Sequence, residues 1–193
     1  MGRVKGVALR NFVEWLRADL GPAEMGAVFA RLSKAHREQL DPEHAALGIL
    51  ASSWYSAPLV HDLLEALAAD REAAELERFV SEGTHFALQR SLTTVHRAIL
   101  RIVGSPSRHA RFCQNLWRTY YDHGRVESVV QGPGRQLITY YDWEAHQALL
   151  CRMTTRSDVT IFSLMGLRDV AARQISYVDE GADGCAHEVT WTG

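Results

Sequence analysis

The side chains of this 193-residue chain that could do chemistry are scattered. His96, in Leu92-Thr93-Thr94-Val95-His96, lies beside the apolar stripe of a long central helix. An imidazole presented from there to a pocket could ligate haem iron, with the pocket's polarity deciding which gas binds. More simply, it is a helix histidine, partly exposed or hydrogen-bonded at an interface. His85 and His61 are comparable candidates with weaker placement. Cys113 falls on the apolar stripe of a helix over 107–123, where a thiol acts as a small hydrophobe. A reactive thiol would need exposure and nearby positive charge, which Arg111 alone does not establish. Cys185 and His187 share one strand face two residues apart, which is half of a metal site or, more economically, a face packed with Val189 and Trp191. Trp54-Tyr55 precede Ser56-Ala57-Pro58 and either anchor a helix start to the core or, as paired aromatics, line a ligand cavity. The expected ligand pocket is thus Trp54, Tyr55, Cys113 and Trp117, with no catalytic residue and no metal site.

The common catalytic signatures are missing. There is no G-x-S-x-G elbow, no G-x-x-x-x-G-K-[ST] phosphate loop and no G-x-G-x-x-G opening a helix after a strand. Neither H-E-x-x-H nor C-x-x-C occurs. Nine histidines leave room for a site assembled from distant residues, but the balance favours a protein that is not an enzyme.

The elements that must position these residues change character along the chain. Residues 4–123 read as helical. Leu9, Phe12, Val13 and Leu16 follow amphipathic spacing, Leu20-Gly21-Pro22 ends that helix, and Met25, Val28, Phe29 and Leu32 mark a second. Asp41-Pro42 reads as an N-cap and first helical position, opening a short helix through Leu50. Ser56-Ala57-Pro58 starts another, carrying Leu59, Leu63, Leu64 and Leu67. The stretch from Glu72 to Val103 reads as two helices broken near Gly83, and Gly104-Ser105-Pro106 stops it. A last long helix puts Phe112, Cys113, Leu116, Trp117 and Tyr120 on one stripe, with Gly124 as its C-cap. Val126–Gln131 and Arg135–Asp142 then flank Gly132-Pro133-Gly134 as a hairpin. A helix resumes with Ala145, Leu149 and Met153, its pattern weakening towards Ala172. A second hairpin turns at Gly181-Ala182-Asp183-Gly184 and places Cys185, His187, Val189 and Trp191 on one face. The fold class is therefore α+β in a single domain over 1–193. Its N-terminal helical half, 1–123, precedes two hairpins over 124–193 that form an antiparallel sheet with an intervening helix.

Composition bounds the rest. Apolar residues make up 47% and charged residues 23%, so a real core can form. No apolar run approaches the roughly 20 residues that span a bilayer, and the N-terminus lacks a cleavage site. Three cysteines cannot make a disulfide scaffold, which points to a reducing cytoplasm. Arginine far outnumbers lysine, suggesting a GC-rich bacterial genome. A net charge of −2 argues against nucleic-acid binding. Residues 62–82 hold seven acids against Arg71 and Arg78, whereas residues 83–121 hold six arginines and no acid. These charges either screen each other across neighbouring helices or, through Arg97, Arg101, Arg108 and Arg111, form a surface for an acidic partner.

Val4-Lys5-Gly6 before an amphipathic helix, Trp54-Tyr55 before a leucine-rich helix, and Gly83 inside the helical half together resemble the haem-nitric-oxide-binding domains and their relatives. Those relatives are the 4-vinyl-reductase-like ligand-binding domains, the TRAPP-like trafficking subunits and a myxobacterial paralogous family of unknown function. The ending, Gly181 through Cys185 to Val189 and Trp191, is similar to the closing hairpin of the 4-vinyl-reductase-like and myxobacterial branches, the latter the nearest. The resemblance spans nearly the whole chain. In the haem branch it implies a proximal histidine on a long helix, which only His96 could supply, and a Tyr-x-Ser-x-Arg motif for the haem propionates. Tyr55-Ser56-Ala57-Pro58 and Tyr177-Val178-Asp179 both depart from that motif, so no cofactor is expected. The other branches imply a cavity for small apolar ligands, or dimers. The expectation is a cytoplasmic, homodimeric, non-catalytic sensory or adaptor domain that binds a small apolar ligand or a protein partner. The alternative is a haem-dependent gas sensor with iron on His96.

Overall fold

The computed structural model describes residues 2–92, 100 and 104–192. Leu9, Phe12, Val13 and Leu16 bury one stripe of α1 (Gly6–Arg31) against the core. This helix is interrupted at Gly21, whose φ of 77° suits glycine, with Pro22 following. The two helices expected around Leu20-Gly21-Pro22 therefore meet at a kink at the non-helical Gly21 and are numbered together as α1. Ahead of it, β1 (Arg3–Lys5) pairs antiparallel with β2 (Trp54–Ser56), and Val4 bridges to Tyr121. The stretch 4–123 is thus not wholly helical; three-residue strands are too short to show alternation in sequence. Ser33 caps α2 (Lys34–Arg37) by accepting from the His36 amide.

No helix forms from Asp41-Pro42. Leu47 and Gly48 take φ values of 53° and 74°, and the Asp41 amide donates to the Leu47 carbonyl at 2.9 Å, closing a loop instead. Helix α3 (Ala57–Ala68) begins as expected with Pro58 in its first turn. Helices α4 (Ala73–Arg78) and α5 (Thr84–Ser91) run on through a π turn at Phe79–Gly83. Gly83 is not a break. Its φ and ψ are −65° and −40°, and a Cβ there would stand 2.6 Å from Phe12 and 2.7 Å from Trp15. Glycine at this position lets α1 approach.

Ser105 caps α6 (Pro106–Tyr120) by accepting from the Arg108 amide. The buried stripe of α6 is His109, Cys113 and Trp117, while Phe112 and Leu116, expected to face inward, are exposed. The helix ends at an extended Tyr121 rather than at Gly124, which turns the chain into the sheet with a φ of 95°. The sheet contains β3 (Arg125–Gly132), β4 (Arg135–Tyr141), β5 (Arg168–Ser176) and β6 (Gly184–Thr192), in the order β3-β4-β6-β5, each pair antiparallel. Helix α7 (Ala148–Leu164) joins the two hairpins, capped by Gln147. It ends well short of Ala172, because Gly166 turns at a φ of 90° and β5 begins at Arg168.

The architecture is α+β, with an N-terminal helical half, then two hairpins in one antiparallel sheet with an intervening helix. Cys151, Asp158 and Phe162 of α7 meet Cys185, His187 and Trp191 of β6. The period-two face read from the sequence is this helix-covered face. Among the described residues no helix is long and apolar enough to cross a membrane.

Candidate ligand cavity

Where α1, α5, α6, α7 and the inner face of β3 and β4 converge, they line a half-open cavity of about 480 Å³. Small-molecule sites occupy roughly 300–1,000 Å³. Its walls are largely aliphatic and aromatic, with Leu9 from α1, Leu88 from α5, Cys113 and Trp117 from α6, Ile138 from β4 and Met153 from α7. Among the described residues its lining contains no lysine and no arginine.

The polar part of the wall is a network centred on Asp158. Its Oδ2 accepts from the Tyr140 hydroxyl at 2.8 Å and pairs with His187 Nε2 at 2.9 Å. Its Oδ1 lies 3.6 Å from His109 Nε2, beyond hydrogen-bond distance. On the other side of that imidazole, Nδ1 stands 3.1 Å from Gln136 Nε2, which also donates to Ser128 Oγ. With the Gln136 amide oriented so that Nε2 donates, His109 Nδ1 accepts, which assigns the imidazole proton to Nε2, facing Asp158.

Burial alone would raise the Asp158 carboxyl. Its hydrogen bonds to His187 and Tyr140 and the adjoining imidazoles outweigh burial and hold it below the usual carboxylate value. Burial pushes His109 down, against the pull of Asp158. It also pushes Tyr140 well up, with the Asp158 charge adding to the effect. The result is a buried carboxylate beside a neutral imidazole and a neutral phenol. Among the described residues, no donor reaches Asp158 Oδ1 at hydrogen-bond distance.

Two of the expected pocket residues line this cavity. Cys113 is buried there, its thiol pushed up by burial, and its Sγ lies 3.4 Å from the Ala110 carbonyl. Trp117 stacks on Tyr121 with ring centroids 4.0 Å apart, and its Nε1 donates to the His123 carbonyl. Trp54 and Tyr55 are elsewhere. Lys5 stands 4.7 Å over the Trp54 ring, and the Tyr55 hydroxyl accepts from the Leu50 amide at 2.8 Å. They belong to the small β1–β2 sheet, serving as the helix-start anchor rather than the cavity wall.

His96, Arg97 and Arg101 lie outside the described residues. Arg108 and Arg111 are on the exposed side of α6, where Arg111 Nε donates to the Ser107 carbonyl of its own helix. The acids of 62–82 pair elsewhere: Asp62 with His36, Asp70 with Arg31, and Glu77 with both Arg152 and Arg156. Of the 83–121 arginines, Arg90 turns to Glu14.

The sequence pattern does not distinguish Asp158, Tyr140 or His109. Each sits in an otherwise ordinary helix or strand pattern. The only trace is an acid in Ser157-Asp158-Val159-Thr160, on the helix face that packs against the sheet.

No family model matches the sequence, and no curated protein matches it. Solved structures do match in fold. The Fe(II) unliganded H-NOX protein from K. algicida superposes with a TM-score of 0.69 at 10% identity, covering 98% of this chain and 97% of that one. The Fe(II)NO form of an H-NOX protein from S. oneidensis gives 0.66 at 10% identity, over 98% and 99%. A structure described as giving insights into H-NOX activation gives 0.63 at 8% identity, over 98% and 97%. At such identity the likeness is one of fold: the chain has an H-NOX-like (haem-NO-binding) fold.

That fold implies a haem, which the described lining does not fit. Its one imidazole, His109, has Nδ1 engaged by Gln136 and Nε2 turned to Asp158. No arginine or lysine in it could meet a propionate, and the Asp158 carboxylate would repel one.

Proposed function

We propose that this chain is a non-catalytic sensory domain that holds a small, uncharged, mainly apolar molecule in the cavity, with one hydroxyl or N–H of the ligand donating to Asp158 Oδ1. The observation that carries this reading is the buried Asp158 carboxyl, held below its usual value and with no hydrogen bond to Oδ1 among the described residues, in a cavity whose described lining is mainly apolar and holds no lysine or arginine. A neutral donor gains a charge-assisted hydrogen bond there. An anion of the same skeleton meets repulsion in a low dielectric.

Helix α6 offers the output. Its inner face lines the cavity with His109, Cys113 and Trp117, Leu116 reaches the cavity from the rim, and its outer face exposes Arg108, Arg111 and Phe112. A ligand that shifts α6 changes what a second protomer or an acidic partner meets. The resemblance of the closing hairpin, Gly181 through Cys185 to Val189 and Trp191, to the 4-vinyl-reductase-like and myxobacterial domains supports the apolar-ligand reading.

The test is a titration of Trp117 fluorescence with matched alcohols and carboxylates of one chain length, with Trp117→Phe as the blank. Alcohols are expected to bind and carboxylates not, with Asp158→Leu erasing the difference. Carboxylates binding as tightly as alcohols would overturn the reading. A visible spectrum of protein from haem-supplemented cells is expected to be featureless. A Soret band lost in His96→Ala would replace the apolar-ligand reading with the gas sensor.

A further inference from the structure

Three side chains that line no part of the cavity converge at the opening end of α7. His146 lies in the segment between β4 and α7, Cys151 in the first turn of α7, and Cys185 near the start of β6. One ligand atom from each lies within 4.8 Å of the others. His146 Nε2 is 2.9 Å from Cys185 Sγ, and both thiols are free and buried. We propose that Cys151 and Cys185, as thiolates, and His146, through Nε2, bind a Zn²⁺ ion, with Asp179 as a positioning residue.

The donor set selects the metal. Two sulfurs and an imidazole suit a borderline-soft cation and exclude magnesium and calcium, which take oxygen. With Zn–S near 2.3 Å and Zn–N near 2.0–2.1 Å, a tetrahedral centre sets its ligand atoms about 3.6–3.8 Å apart. Here His146 Nε2 and Cys185 Sγ stand 2.9 Å apart and all three atoms lie within 4.8 Å, so side-chain shifts of about an ångström bring them to that spacing. Two thiolates also neutralise the dication, and a centre with no net charge tolerates burial beside α7 and the sheet far better than a bare ion.

The shell around the three ligands gives independent support. The other imidazole nitrogen, His146 Nδ1, faces Asp179 Oδ1 at 3.5 Å. A carboxylate facing the far nitrogen favours the tautomer that leaves Nε2 free to ligate, and the pair recurs as a hydrogen bond behind zinc-bound histidines. Gln174 Nε2 lies 3.8 Å from Cys151 Sγ, a donor poised for a sulfur that carries negative charge. Asp179 sits in the short turn between β5 and β6 with its side chain 59% exposed, so ion and solvent have a way in on that side. Among the described residues no fourth His, Cys, Asp or Glu joins the cluster, which leaves the fourth position to solvent.

The experiment is titration of chelator-stripped protein with Co²⁺ and then Zn²⁺, followed by absorption. Expected are a thiolate-to-cobalt charge-transfer band and the ligand-field bands of a tetrahedral centre, saturating at one ion per chain and bleached by Zn²⁺. Cys151→Ser and Cys185→Ser should each lose the charge-transfer intensity, and Cys113→Ser should leave it intact. Asp179→Asn should weaken Zn²⁺ about 10–100-fold with an unchanged band shape. The partly exposed His146→Gln and Asp179→Asn keep the test decisive if a cysteine variant fails to fold. Saturation without a charge-transfer band, or affinity that His146→Gln and Asp179→Asn leave unchanged, would overturn the proposal.

Discussion

Replacing His187 with leucine should strand the Asp158 charge. His187 is fully buried, and its Nε2 lies against one of the two oxygens that hold that charge. After the substitution the carboxylate keeps, among the described residues, one hydrogen bond, from the Tyr140 hydroxyl at 2.8 Å. Taking a partner away from a buried carboxylate costs about 3–5 kcal/mol. For a domain of this size, at ~2–4 °C per kcal/mol, that is a fall in melting temperature of roughly 6–20 °C. The leucine itself adds no penalty at the other ring nitrogen, because His187 Nδ1 has no hydrogen-bond partner among the described residues. Adding Asp158→Leu removes the charge along with its partner. The double variant should therefore recover most of the loss, retaining about 1–3 kcal/mol for the Tyr140 hydroxyl now left alone, which Tyr140→Phe should relieve. Urea midpoints at constant m-value measure all of these. The sign with pH follows from a carboxyl held below its ordinary value. Its contribution is complete above about pH 3.9 and is lost as the pH falls through the folded value. An additive cycle, with the double variant less stable than His187→Leu by the whole cost of Asp158→Leu, would refute this reasoning.

Two further outcomes follow from the same geometry. Gly83→Ala should destabilise, although alanine gains up to about 1 kcal/mol at an open helix position, since its methyl would enter contacts of 2.6 and 2.7 Å with Phe12 and Trp15 and overpacking costs about 1–3 kcal/mol; a raised melting temperature would show that α1 does not need the close approach. His109 is held neutral by burial, so below its unfolded value of about 6.5 the unfolded chain binds the extra proton and stability rises with pH through that window. His109→Gln should flatten that part of the profile in urea midpoints taken from about pH 5 to 7.5.

Much of the architecture is legible in the residue pattern because it rests on local signals. The Leu9 to Leu16 stripe, Pro58 in a first turn, and the Gly132-Pro133-Gly134 and Gly181–Gly184 turns each act over a few residues. What escaped the pattern is set by contacts distant in sequence. The Arg3–Lys5 strand exists because residues 54–56 lie beside it. Gly83 looks like a breaker until Phe12 is seen against it. The site follows the same rule. Cys113 and Trp117 could be chosen because a helical stripe marks them, and both line the cavity. Asp158 becomes meaningful only when a helix lays it between Tyr140 and His187, from two different strands. Trp54 and Tyr55 are ambiguous in sequence because paired aromatics serve a strand-to-helix corner as well as a pocket, and the structure sets them at the corner.

The strand order β3-β4-β6-β5 puts the sheet's last strand in sequence at an interior position. While the chain is being synthesised, β4 has one bare edge and β5 has no neighbour until residues 184–192 emerge from the ribosome. Asp158 likewise waits for its imidazole until His187 arrives. The nascent domain therefore passes through a stage with its helical half made, one hairpin closed, and an open row of backbone donors and acceptors beside an uncompensated acid. A pause in translation just before residue 184 would prolong that stage and expose the β4 edge to pairing with another chain. The same stage offers a ligand its readiest access to the cavity wall, before β6 brings His187 up to Asp158.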